Sequence, residues 1–144
     1  MRDLPISAVM TQRGVSPDPR RIAREQKGRV AEAIAALVLM LKGYRILARR
    51  RRTPQGEIDL IAVRGRRLAF VEVKRRPNRD DAEASLTPHQ TGRLHDAAEH
   101  WLASRRRYRD HDLAFDALFV LPWRWPLHLR DALQPSIGAT YRSR

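Results

Sequence analysis

The chain has 144 residues, a length suited to one domain, and no cysteine, which excludes disulfides and thiolate metal sites. Its 29 Lys and Arg stand against 16 Asp and Glu, giving a formal net charge of +13 carried mostly by Arg. A polyanionic partner is the first expectation, with an Arg-favouring composition as the bland alternative.

Residues 1–19 hold Pro5, Gly14, Pro17 and Pro19 without periodicity and read as a flexible arm. They show no signal-peptide pattern, and the longest apolar run, Val30–Leu41, contains Glu32 and is too short for a bilayer. A soluble cytoplasmic protein with no membrane partner is expected. The domain occupies 20–134, with an irregular tail at 135–144. Arg20–Lys42 predicts a helix closed by Gly43, its second half apolar nearly all round and so packed into a core. A first strand follows over Tyr44–Arg50, then a turn at Thr53–Gly56.

Glu57–Val63 and Leu68–Lys74 predict two more strands, joined at Gly65, which can supply the positive φ of a tight turn. Alternation sends Ile58, Leu60 and Ala62 to one face and Ile61 and Val63 to the other, so both faces need cover. Residues 77–88 read as a polar connection. Pro88–Ser104 predicts a second helix with Leu94, Ala97, Ala98, Trp101 and Leu102 on its apolar side. Leu113–Pro122 and a short Leu127–Ala132 complete the strands. The order αβββαβ(β) predicts an α/β sandwich, a central mixed sheet flanked by helices.

The hairpin carries charges inside apolar runs: Glu57 and Asp59 in "GEIDLIA", Glu72 and Lys74 in "FVEVKRR". If Arg64 pairs with Arg67 across the turn, Asp59 falls opposite Glu72, with Cβ atoms about 5 Å apart. Two carboxylates so placed repel unless a proton or cation lies between them. Lys74, two residues beyond Glu72, answers one charge and leaves the other for a metal ion. Asp59 and Glu72, with the carbonyl of Val73, would suit Mg²⁺ or Mn²⁺, and Lys74 could orient a bound water for phosphodiester hydrolysis. The alternative is a plain ion-pair network at a solvated hairpin end.

An Asp, a gap of 12 residues and Glu-x-Lys on a helix-first plan is similar to the PD-(D/E)xK nuclease superfamily, whose fold is restriction-endonuclease-like. More closely, "KGRVAEAIAALVLMLKGYRILARRRR", "GEIDLIA" and "FVEVKRR" resemble the bacterial YraN-type UPF0102 family, related to archaeal Holliday junction resolvases. The resemblance runs from about Arg24 to about Val120. It implies Asp59 and Glu72 as metal-binding acids, Lys74 as the catalytic lysine and Glu32 as a helix-borne catalytic acid. Glu32 is noticeable in its own right, as a carboxylate in the apolar half of its helix; the other reading has it facing solvent or paired with Arg29 or Arg49. Where relatives often carry a basic residue at the start of the second helix, this chain has Gln90, with Arg93 or His89 to compensate. Asp116 in "AFDALFV" matches an "RFD" motif with Ala114 in place of Arg, and is expected to be structural. The resemblance also suggests a homodimer, since a junction has two strands to cut.

Arg49, Arg50, Arg51 and Arg52, with Arg75 and Arg76, read as a phosphate-binding rim around the acids; Arg93 joins them through the resemblance. Arg64, Arg66 and Arg67, at the far turn, read as a solvated run. Trp123 and Trp125 could stack on bases, but a core edge or dimer contact is the commoner role. The five histidines show no metal-ligand spacing and read as surface residues. A metal-dependent endonuclease on structured or branched DNA, with DNA favoured over RNA, is the leading expectation. A nucleic-acid-binding protein with the same fold and no turnover is the second, and a basic protein associating with ribosomes or membranes the third.

Overall fold

A computed structural model describes residues 16–134. Residues 1–15 of the predicted arm, and the whole predicted tail, lie outside the described residues. The elements are α1 (Pro19–Leu41), β1 (Arg45–Thr53), β2 (Gly56–Arg64), β3 (Arg67–Arg75), α2 (Arg79–Ala84), α3 (Pro88–Ala103), a 3₁₀ turn (Arg106–Tyr108), β4 (Asp112–Val120) and β5 (Leu127–Leu129).

The strands form one sheet in the order β1-β2-β3-β4-β5, in which only the β3–β4 pair is parallel. This is the α/β sandwich read from the sequence. The hairpin register also follows: Arg64 pairs with Arg67, and Gly65 takes φ 58° in the two-residue turn. From there the ladder runs to Leu60 and Val71.

Both sheet faces are covered. Ala31, Ala35, Ala36, Val38 and Leu39 of α1 pack on Leu60, Ala62, Ala69, Val71 and Leu118. Leu94, Ala97, Ala98 and Trp101 of α3 pack on Ile61, Val63, Phe70 and Phe115. There Phe70 stacks on Phe115 and meets Trp101 edge-on, with centroids 5.6 Å and 5.9 Å apart.

Several expectations need correction. Pro19 belongs to α1 rather than to the arm: it occupies the first turn, where its missing N–H costs nothing, and Asp18 caps the helix by accepting from Arg20 N–H at 3.0 Å. The second half of α1 is not enclosed. Val30, Leu37, Met40 and Leu41 are each more than half exposed, because one sheet face can cover only one stripe of a helix.

The connection after β3 contains α2, capped by Asn78, which accepts from Asp81 N–H, with Asp80 and Asp81 in its first turn. Ile58 packs with Ile61 and Val63 instead of with Leu60. Simple alternation therefore fails at Asp59, opposite which Arg50 of β1 adopts a left-handed φ of 49°.

Candidate metal centre

The ladder between β2 and β3 ends at Leu60–Val71, one step before Asp59 and Glu72. Beyond it the Asp59 carboxylate replaces a backbone partner: its Oδ2 accepts from Val73 N–H at 2.8 Å. The two strands fork here. Direct opposition of Asp59 and Glu72 thus gives way to an arrangement in which α1 and β1 bring side chains to Asp59.

From α1 comes Glu32, 7% exposed, whose Oε2 accepts from the Arg50 guanidinium. The acid is buried, as its place in the helix implied, but its partner is Arg50 rather than Arg29 or Arg49. Ligand oxygens of Glu32, Glu57 and Asp59 all lie within 4.8 Å of one another. Sequence reasoning missed Glu57 as part of a metal site and counted it only among the charged residues of the hairpin. Its nearest cation, Arg52, is 3.7 Å away at an exposed position, where such a pair contributes little.

Crowding of acids marks the electrostatics. Burial first, then the charges of Glu72, Glu32 and Glu57, push the Asp59 carboxyl up to about 7, against the lowering influence of the Val73 N–H. Burial likewise pushes Glu72 above the usual carboxylate range, although Lys74, Arg93 and Arg76 pull it down. The Lys74 ammonium is lowered chiefly by burial while Glu72 raises it. Lys74 Nζ donates to Gln90 Oε1, so the residue that departs from the family pattern serves to hold the lysine.

Arg93 lies across Gly56. Its Nη2 is 3.4 Å from where a Cβ on Gly56 would stand, and Gly56 has φ 145°, so only glycine fits there without strain. Of the predicted rim, Arg49, Arg51, Arg52, Arg75 and Arg93 are exposed at this end of the sheet and Arg76 is half-buried beside them. Arg50 is committed to Glu32 instead.

A second polar group lies on the α1 side of the sheet, towards the Arg67 end. Asp116 is fully buried, accepts from both Arg67 Nη atoms at 2.8 Å, and binds His128 Nε2 and Asp131 N–H at the same distance. Despite burial, these bonds from His128 and Arg67 hold the Asp116 carboxyl well below the usual range. Arg67 and His128 are therefore structural, not a solvated run and a surface histidine. The His128 side chain is 1% exposed. His95 is also part of the packing, against Phe115 at 4.1 Å. Trp123 and Trp125 form no core edge; they are 102% and 69% exposed.

The forked acids, the Glu-x-Lys strand and the buried Asp116 occupy one continuous segment. The model of the Uncharacterised protein family UPF0102 matches residues 31–120. The chain belongs to the UPF0102 family. A UPF0102 protein of Rhodopseudomonas palustris (strain BisB5) is 51% identical over 120 residues, which cover 83% of this chain and 92% of that one. One from Parvibaculum lavamentivorans is 50% identical over 114 residues, 79% of this chain and 86% of the relative. One from Methylorubrum populi is 51% identical over 120 residues, 82% and 96% of the two chains. The UPF0102 segment includes Glu32, Glu57, Asp59, Glu72 and Lys74, while Trp123 and Trp125 lie beyond it. No helix among the described residues is long and apolar enough to cross a membrane.

Proposed function

We propose that the fork is the active site of a metal-dependent endonuclease acting on structured or branched DNA. The observation that carries this reading is the group of carboxylate oxygens of Glu32, Glu57 and Asp59, mutually within 4.8 Å. Acids so close, with the Asp59 carboxyl pushed up to about 7, form an all-oxygen donor set with surplus negative charge. That chemistry fits a hard divalent cation such as Mg²⁺ or Mn²⁺. Asp59 would hold the ion together with Glu57 or Glu72, the Val73 carbonyl being a further donor by position. A bound ion would supply phosphate polarisation and a more acidic water.

The remaining roles fall to the chain's own groups. Gln90 fixes the Lys74 ammonium, and a lysine positioned beside Glu72 can orient a water or steady charge developing on a phosphate oxygen. Arg50 holds the Glu32 carboxylate in place. Exposed Arg49, Arg51, Arg52, Arg75 and Arg93, with Arg76, would take flanking phosphates, and two copies of the chain would be needed to cut a junction symmetrically.

A catalytically silent DNA-binding protein is the second reading. It is favoured by one observation: Lys74 and Glu32 both have protein partners already. The test is a cleavage panel on junction, flap, single-stranded and duplex DNA with Mg²⁺, Mn²⁺ or EDTA. The nuclease reading requires metal-dependent cleavage that is lost in Asp59→Ala and Glu72→Ala. Binding without cleavage under either metal leaves the second reading.

A further inference from the structure

The β4–β5 connection, "LPWRWP" over residues 121–126, presents the two most exposed large apolar side chains among the described residues. An indole normally contributes by being buried, yet neither ring does so here. Trp123 also takes φ 59°, in the left-handed region that bulky residues avoid. Such strain at an exposed aromatic persists only where the surroundings impose it, and it commonly marks a working position. The loop that carries it is held at both ends. Leu121, 8% exposed, anchors one end of the loop in the α3-side core, Leu127 pairs with Phe119 at the other, and Pro122 and Pro126 restrict the backbone between.

The parallel register fixes where this loop stands. Lys74 lies beside Phe119 and Arg75 beside Val120, and Arg76 N–H donates to the Val120 carbonyl at 3.2 Å. β4 therefore leaves the sheet at the forked end, and Trp123 follows three residues later. Arg124 beside it in the chain is exposed, as are Arg75, which pairs with Val120 at the end of β4, and Arg79 at the start of α2.

We propose that Trp123 and Trp125 are a base-stacking platform that takes unpaired nucleobases of a DNA strand whose phosphates lie on the neighbouring arginines. The proposal rests on reading the fork as a DNA-processing site. It adds the origin of substrate choice: bases within a duplex are already stacked on each other, so only a single-stranded or branched segment can offer a face to the indoles. Indoles interleaved with arginine suit a polyanion that carries aromatic rings. A protein partner covering the loop would have to bury Arg124 between them.

The experiment is tryptophan fluorescence of the intact protein in EDTA, titrated with single-stranded, forked and fully duplex DNA of equal phosphate number. Single-stranded and forked DNA should quench the emission. Trp123→Ala and Trp125→Ala should each remove part of the quench and weaken single-strand binding by on the order of tenfold. Duplex affinity should change less than about twofold, and Trp123→Tyr should retain most of the binding. Buried Trp101 reports through near-ultraviolet circular dichroism that each variant is folded.

Equal losses for duplex and single strand, or no loss in either variant, would overturn the platform. So would emission that shifts with phosphatidylserine vesicles but not with DNA, or with protein concentration alone. The nuclease reading is tested separately, because Asp59→Ala and Glu72→Ala should keep the Trp-dependent quench. If cleavage fails while that quench stays strand-selective, only the nuclease reading falls. Trp-independent cleavage refutes only the platform.

Discussion

Asp59→Asn removes a charge from the fork but keeps an oxygen able to accept from Val73 N–H. Burial, then Glu72, Glu32 and Glu57, raise the Asp59 carboxyl from 3.8 to about 7. A carboxyl raised in the folded state binds its proton more tightly there than in the unfolded chain. Its contribution to stability is therefore present at low pH and is lost as pH rises from 3.8 through about 7. One pKa unit corresponds to 1.36 kcal/mol, so the two units between pH 5 and 7 are worth about 2.7 kcal/mol. The asparagine cannot ionise, and the other titrating groups are common to both proteins. Urea unfolding at pH 5 and pH 8 in EDTA should thus show the variant gaining on the wild type by roughly 2–3 kcal/mol between the two pH values. Parallel stability of the two proteins across that range would refute the crowded-acid account.

The same crowding would make binding of a metal ion visible as stability. Mg²⁺ or Mn²⁺ at pH 8 should raise the wild-type Tm, by the equivalent of about 2.7 kcal/mol at a hundredfold excess over Kd, and should leave Asp59→Asn nearly unmoved; equal shifts would place the ion elsewhere. Asp116→Ala leaves the half-buried Arg67 with only the exposed Asp131 carboxylate, at 3.1 Å, and strips His128 Nε2 and Asp131 N–H of their partner; it should cost about 3–5 kcal/mol in denaturant unfolding, whereas a loss under 1 kcal/mol would show that the clasp is dispensable. Because the Asp116 carboxyl is held low, its stabilisation is fully present above its ordinary value of 3.8 and is lost as pH falls through the depressed folded value. That loss should appear as acid unfolding absent from Asp116→Asn. Finally, Arg51→Ala with Arg52→Ala should lower the slope of log affinity against log salt by about 1 for each phosphate contact removed, and an unchanged slope would remove these residues from the rim.

The layered order, the hairpin and its register were readable because they depend on local signals: alternation in β2 and β3, Gly65 at the turn, and the apolar spacing of α3. What escaped depends on distant pairings. Four consecutive arginines offer equal candidates for Glu32. The bulge at Leu47, between the Ile46 and Ala48 pairings, and the left-handed Arg50 decide which of them reaches α1. Ile58 packs in the other core, against the alternation, whereas Glu57, two residues before Asp59, shares its face by alternation alone and was open to being read as a ligand. His128 looked ordinary because its partner Asp116 is on a neighbouring strand and Lys42, 2.9 Å from its Nδ1, is at the end of α1. For α2 the signal existed in Asn78 followed by two aspartates, but six residues are too few to show a period.

β1 forms one border of the sheet, and such a border exposes a row of backbone groups that a second polypeptide could extend. Here that row is interrupted by the Leu47 bulge and by the left-handed turn at Arg50, and it carries four adjacent cations from Arg49 to Arg52. An approaching copy would meet like charge and a bent template that it could not follow. The arginine run thus guards the sheet against edge-to-edge polymerisation, whatever it also binds. Neutralising it would therefore expose the protein to aggregation.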